Sequence, residues 1–124
     1  MLNTAKIIAF VPIRDSKRSR PFYEGILGLK FVSDDPFALI MDSKGVMVRL
    51  AKTPKFKPAG FTVMGWQVAD IKKIVSRLTK KGVNFERFPG MEQDELGIWA
   101  APNGAKIAWF KDPDGNILSV SQHI

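Results

Sequence analysis

The chain has 124 residues, 45% of them hydrophobic and 25% charged, with a single histidine and no cysteine. That length suits one domain with a real core, and the missing cysteines exclude disulfides, thiolate zinc sites, iron–sulfur clusters and thiol nucleophiles. The net charge of +7 is concentrated in residues 1–59, which hold 11 of the 19 basic and 5 of the 12 acidic side chains. Those basic residues are scattered rather than interleaved with aromatics, so they predict a solvated surface attractive to small anions, not a nucleic-acid face.

Ile7 to Ile13 is apolar and partly β-branched and reads as a strand. Asp15 is placed to cap a helix whose Phe22, Tyr23, Ile26 and Leu27 recur at helical spacing, with Gly28 as its stop. Leu29 to Val32 is the next strand. Phe37 to Met41 and Val46 to Leu50 flank Asp42-Ser43-Lys44-Gly45, a hairpin signal. Residues 53–59, with two prolines and two lysines, form a connector.

The plan then repeats. Phe61 to Val68 is a strand, and Asp70 caps a helix carrying Ile71, Ile74, Val75 and Leu78, which ends at Gly82. Val83 to Phe88, Gly97 to Ala101, Lys106 to Lys111 and Ile117 to Ser121 read as strands, with turns at Pro102-Asn103-Gly104 and Asp112-Pro113-Asp114-Gly115-Asn116. Glu92-Gln93-Asp94-Glu95 reads as a mobile rim loop. Module one spans about 5–52 and module two about 60–122, an internal duplication within one domain over 1–124. No apolar run reaches the roughly 18 residues that span a bilayer. The opening residues show no leader pattern, so a cytoplasmic protein with no membrane partner is expected.

Three motifs carry a resemblance. Asp15…Phe22-Tyr23…Leu27-Gly28-Leu29, then Asp70-Ile71…Leu78…Gly82-Val83, then Phe110-Lys111-Asp112-Pro113-Asp114-Gly115-Asn116 are together similar to the vicinal oxygen chelate superfamily, which holds glyoxalase I, bleomycin-resistance proteins, fosfomycin-resistance proteins and extradiol dioxygenases. The resemblance implies an α+β fold of two tandem βαβββ modules forming a curled mixed β-sheet cleft. It also implies a homodimer, because related short chains complete their clefts across a two-fold axis.

In the family's metal-dependent members the metal ligands come from the first and last strands of each module. Here those positions fall on Ile8, Arg49, Val63 and Ser119, none of which suits a divalent cation. No metal and no cofactor are therefore expected. The bleomycin-resistance branch of the family binds without metal, but its members are acidic, whereas this chain is basic. The analogy thus extends to mode of binding and not to that drug.

Strand alternation places Phe10, Met47, Arg49, Gln67, Trp109, Ser119 and Ser121 on the cleft side as ligand-binding residues, together with Ile8, Val63, Gly65 and Ile107. Trp66 is expected in the core. Trp99 fits either the pocket or a dimer interface, and His123 continues the alternation of Ser119 and Ser121. The expected function is metal-independent binding of a small amphipathic molecule, with Arg49 suited to a carboxylate or phosphate. The alternative is a lyase, isomerase or dioxygenase-type enzyme of the same superfamily with a repurposed site.

Overall fold

The computed structural model describes all 124 residues and divides them into two compact units, Met1–Lys57 and Pro58–Ile124. After a short 3₁₀ turn at Leu2–Thr4, the first unit contains β1 (Ile8–Ile13), α1 (Ser16–Arg20), β2 (Lys30–Asp34), β3 (Ala38–Ser43) and β4 (Val46–Lys52). The sheet order is β1-β4-β3-β2, with β1 parallel to β4 and the other pairs antiparallel. The second unit contains β5 (Thr62–Gln67), α2 (Ile71–Lys80), β6 (Trp99–Ala100), β7 (Lys106–Lys111) and β8 (Ile117–Gln122). Its order, β5-β8-β7-β6 with β5 parallel to β8, repeats the first unit position for position. The duplication read from the spacing of Asp15 and Asp70 is thus present in the strand connections.

Each sheet buries the face that carries its helix. In the first unit Val11, Leu50 and Leu39 lie side by side across three strands, with Val48 and Met41 as the next pair, and all five are buried. In the second, Leu118 and Val120 on β8 face Phe110 and Ala108 on β7, all of them buried. Helix α2 closes this layer with Ile71, Val75 and Leu78, spaced four and three residues apart on one side of the helix. Burying side chains of this size stabilises each unit by about 1.5–3 kcal/mol apiece.

Both helices start as the sequence indicates. Asp15 Oδ1 accepts from the Arg18 amide at 3.0 Å, and Asp70 Oδ1 accepts from the Lys73 amide at 3.2 Å. The first helix departs from expectation after one turn. Pro21 has no N–H to return to the carbonyl four residues back, and from there the backbone widens into a π-helix over Pro21–Ile26, with the Leu27 amide bonded to the Phe22 carbonyl at 2.9 Å. Gly28, at φ +80°, then turns the chain so that the Leu29 amide reaches the Tyr23 carbonyl. The β3–β4 hairpin closes on Lys44 and Gly45, both at positive φ, as a two-residue turn of the expected kind.

Three expectations in the second unit are corrected. Val83 to Phe88 is not a strand. Only Phe85 bridges to Phe110, because the Gln93 side chain takes the partners a neighbouring strand would have used. Its Oε1 accepts from the Phe88 amide, and its Nε2 donates to the Glu86 and Gly97 carbonyls, each at 2.9 Å. The acidic stretch 92–95 is consequently a pinned loop rather than a free rim. Asp94 Oδ1 accepts from the Leu96 and Ile98 amides, and the Arg87 guanidinium donates to the Asp94 and Glu95 carbonyls. The expected strand 97–101 shortens to Trp99–Ala100 and fills the edge position that β2 occupies in the first unit.

Candidate functional site

The helix-free face of the first sheet holds three of the predicted site residues in two rows. Ile8 and Met47 are paired across β1 and β4, and Phe10 and Arg49 form the next row, continued by Ile40 on β3. Phe10, on the edge strand β1, is 63% exposed, and Met47, on the inner strand β4, is 41% exposed. Arg49 is half-buried, and its guanidinium makes neither a hydrogen bond nor an ion pair within 4 Å. Two acids of the same unit are engaged elsewhere: Glu24 with Arg20 at 2.9 Å, and Asp42 with the Gly45 amide. Its charge is felt by Asp35, whose carboxyl is held below the ordinary range chiefly by the Phe37 and Ala38 amides.

The other four predicted residues share the helix-free face of the second sheet. One row runs Gly65, Ser119, Trp109 across β5, β8 and β7. The next runs Gln67, Ser121, Ile107 and, on β6, Trp99. The aromatic end is formed by the two tryptophans of these rows and by Phe88 from outside them. Trp99 and Trp109 have ring centroids 6.1 Å apart, and Phe88 meets Trp109 edge-on at 5.4 Å. Phe88 was absent from the predicted site, since an expected strand at 83–88 gave no reason to aim it at Trp109. Val63 does not join these rows, because the β5–β8 register shifts between Thr62 and Met64 and leaves it in the irregularity. Of the two hydroxyls, Ser121 Oγ lies 2.9 Å from His123 Nε2, whereas Ser119 Oγ makes no hydrogen bond within the protein.

No group of three His, Cys, Asp or Glu side chains is placed so that it could hold a metal ion. The family's ligand positions carry two aliphatic side chains, a guanidinium and a lone hydroxyl, a donor set that does not fit a divalent cation. A separate groove of about 600 Å³ opens beside the first turn of α2, lined among others by Asp70, Lys72, Glu92, Asp94 and Lys106. Its lining carries both charge signs and contains none of the predicted site residues.

The sequence profile of the glyoxalase/bleomycin resistance protein/dioxygenase superfamily matches residues 6–120. The chain belongs to this superfamily. No curated protein matches it in sequence. Among solved structures, this superfamily member is similar to the bleomycin resistance determinant encoded on transposon Tn5, at 22% identity and TM-score 0.75 over 97% of this chain and 98% of that one. It is also similar to TnmS3, an antibiotic-binding protein from Streptomyces sp. CB03234 (22%, TM-score 0.71, covering 100% and 99%). Lactoylglutathione lyase from Agrobacterium tumefaciens shares the fold as well, at 16% identity and TM-score 0.74, covering 96% and 93%. An antibiotic-binding protein and a lyase thus share this fold, and the superfamily's βαβββ architecture accounts for both units described above.

Proposed function

We propose that the protein is a metal-independent, cytoplasmic binder of a small amphipathic molecule with an anionic group, acting as a homodimer and using the helix-free sheet faces. The observation that carries this reading is the pairing of exposed Phe10 and Met47 with Arg49, whose guanidinium has no partner in the chain. Apolar surface beside an unpaired, planar cation suits a ligand with a hydrophobic body and a carboxylate or phosphate. Support also comes from the donor set at the family's metal positions, which leaves binding rather than Lewis-acid chemistry as the natural use of the scaffold. The similarity to TnmS3 and to the Tn5 determinant points the same way, although the net charge of +7 favours anionic ligands here.

The test is a thermal-shift and calorimetric screen of aromatic and aliphatic carboxylates and phosphates in excess chelator, with light scattering for the oligomeric state. Binding unaffected by chelator, weakened at least tenfold by Arg49→Ala, is the expected result. Binding that requires stoichiometric metal, or none across the screen, overturns the reading. The enzyme alternative has one observation in its favour, the Ser121–His123 contact. It would be supported by turnover of a bound compound that His123→Gln abolishes while binding persists.

A further inference from the structure

Two turns of the second unit set an Asn or Asp directly before a glycine, Asn103-Gly104 and Asp114-Gly115. The pairing is chemically reactive, because glycine has no side chain to keep its backbone nitrogen from the preceding side-chain carbonyl carbon. The structure treats the two turns differently. Asp114 is 5% exposed, its amide donates to Asp112 Oδ1, and Pro58 would lie 3.2 Å from a Cβ at Gly115. Asn103 and Gly104 are both exposed, at the tip of the β6–β7 hairpin. Asn103 Oδ1 accepts from the Ala105 amide at 3.0 Å, which folds the side chain forward over the Gly104 peptide, and Asn103 Nδ2 makes no hydrogen bond within the protein. The other asparagines lack these conditions: Asn3 precedes Thr4, Asn84 precedes Phe85, and Asn116 is buried and precedes Ile117.

From this arrangement we propose that Asn103 is a self-modifying site, which loses its side-chain amide to give aspartate and isoaspartate, and that isoaspartate there loosens β6 and with it Trp99. The Gly104 nitrogen gives its proton to a solvent base and bonds to Asn103 Cγ. The Cγ–Nδ2 bond then breaks, and Nδ2 leaves as ammonia with a proton taken from water. Water opens the resulting five-membered imide at one of its two carbonyls. Cleavage of the new N–Cγ bond gives aspartate, and cleavage of the original peptide bond gives isoaspartate, whose main chain runs through Cβ and Cγ and is one carbon longer. Nothing is oxidised or reduced. The Ala105 amide favours the first step, because it donates to the oxygen on which negative charge develops as Cγ becomes tetrahedral. The bond that must open is from the Gly104 amide to the Ala101 carbonyl, 3.0 Å long and at an exposed hairpin tip, where local opening is least costly. The consequence follows from how short β6 is. Its ladder has two pairs, Trp99 with Ile107 and Ala100 with Lys106, and the Ala101 amide closes the loop on the Ala105 carbonyl at 2.7 Å. An added carbon between residues 103 and 104 displaces that closing bond, one pair away from Trp99. The modification needs no ligand and stands independently of the binding reading.

The experiment ages the full chain at physiological temperature, folded and in urea, at pH 7 and pH 8, and follows the tryptic peptide 88–106, which holds Asn103 and no other asparagine. Mass spectrometry reads the exchange of amide for acid and the uptake of a single heavy oxygen from labelled water. Methylation by an isoaspartyl methyltransferase reads the isoaspartate. In the folded chain Asn103 is expected to convert at least tenfold faster than Asn3, Asn84 or Asn116, and within tenfold of its rate in urea. A rise of about tenfold from pH 7 to pH 8 is expected, because the attacking nitrogen must lose its proton, and Asn103→Gln is expected to slow conversion at least tenfold. No conversion at Asn103, a rate no greater than that of Asn84, a folded rate more than tenfold below the urea rate, or a rate independent of pH overturns the site. The isoaspartyl form, separated by ion exchange, is expected to show a shifted tryptophan emission, whereas Asn103→Asp, with the same charge and no added carbon, keeps that of the fresh protein. Unchanged emission in the isoaspartyl form, or an equal shift in Asn103→Asp, overturns the loosening of β6.

Discussion

The turn Asp112-Pro113-Asp114-Gly115-Asn116 is a sequence signature, and its stability can be worked out from its hydrogen bonds. Asp112 is 5% exposed and accepts three of them: from the Asp114 and Asn116 amides on Oδ1, both at 2.9 Å, and from Asn116 Nδ2 on Oδ2 at 2.8 Å. Asp112→Ala removes the acceptor and leaves those buried donors without it. Hydrogen bonds to a charged group contribute about 1.5–3 kcal/mol each, but three on one carboxylate are not additive, so a total loss of about 3–4 kcal/mol is expected. Asp112→Asn keeps one oxygen for the two backbone amides but turns an NH₂ toward Asn116 Nδ2, so about 1–2 kcal/mol is expected. Urea unfolding at pH 7 measures both. An alanine variant destabilised by less than about 1 kcal/mol, or an asparagine variant as damaged as the alanine one, would refute the assignment of this carboxylate as the centre of the turn. The consequence reaches the site, because the turn sets where β8 begins and hence the register that places Ser119 opposite Gly65 and Trp109.

Three further outcomes are expected. Asp70→Ala should destabilise the fold by about 1 kcal/mol through loss of the α2 cap, and Asp70→Ser should recover most of it in the same denaturation assay. Gln93→Ala strips three backbone groups of their partner and should cost about 2 kcal/mol while changing the tryptophan emission, because Phe88 and Trp99 both flank Trp109. Asp34, hydrogen-bonded by Lys52 and Ser16, and Asp35, bonded by two amides, both titrate below the ordinary carboxylate range. Their folded values lie under the unfolded ones, so their contribution is complete above about pH 4 and is lost as pH falls through the folded values. The melting temperature should therefore drop between pH 5 and pH 3, and less so in Asp34→Asn/Asp35→Asn; an unchanged acid slope in that variant would refute the linkage.

The elements legible in the sequence were those whose cause is local. Asp15 and Asp70 cap because a short acceptor precedes a helical stripe, and Lys44-Gly45 turns because its two positions tolerate positive φ. The strand faces follow from alternation alone: Val11, Val48 and Leu50 are buried, while Phe10, Met47 and Arg49 stand on the other side, as expected. Pro21 was equally visible, yet it sat inside a helical pattern whose apolar spacing outweighed it, so the change to a π-helix was not anticipated. What the pattern could not reveal was side chain replacing backbone. Val83 to Phe88 has the composition of a strand. Gln93 overrides it with three hydrogen bonds from a residue that composition assigns to a loop.

The candidate site divides along the same line. Its polar members were readable because they interrupt apolar alternation: Arg49, Gln67, Ser119 and Ser121 each occupy a face position where the neighbouring strand offers an apolar or small residue. Its shape was not readable. A glycine in mid-strand announces a close approach but not by what, and only the β5–β8 register shows that the approaching group is the Ser119 hydroxyl. That register also gives the loss of metal ligands a physical meaning. At one of the positions where relatives in this family place a metal-binding side chain, this chain has a hydroxyl beside bare backbone. A carboxylate at 119 would be longer than serine and would have to pass over or beside Gly65, so the close approach of β5 and β8 here goes with a short side chain at 119.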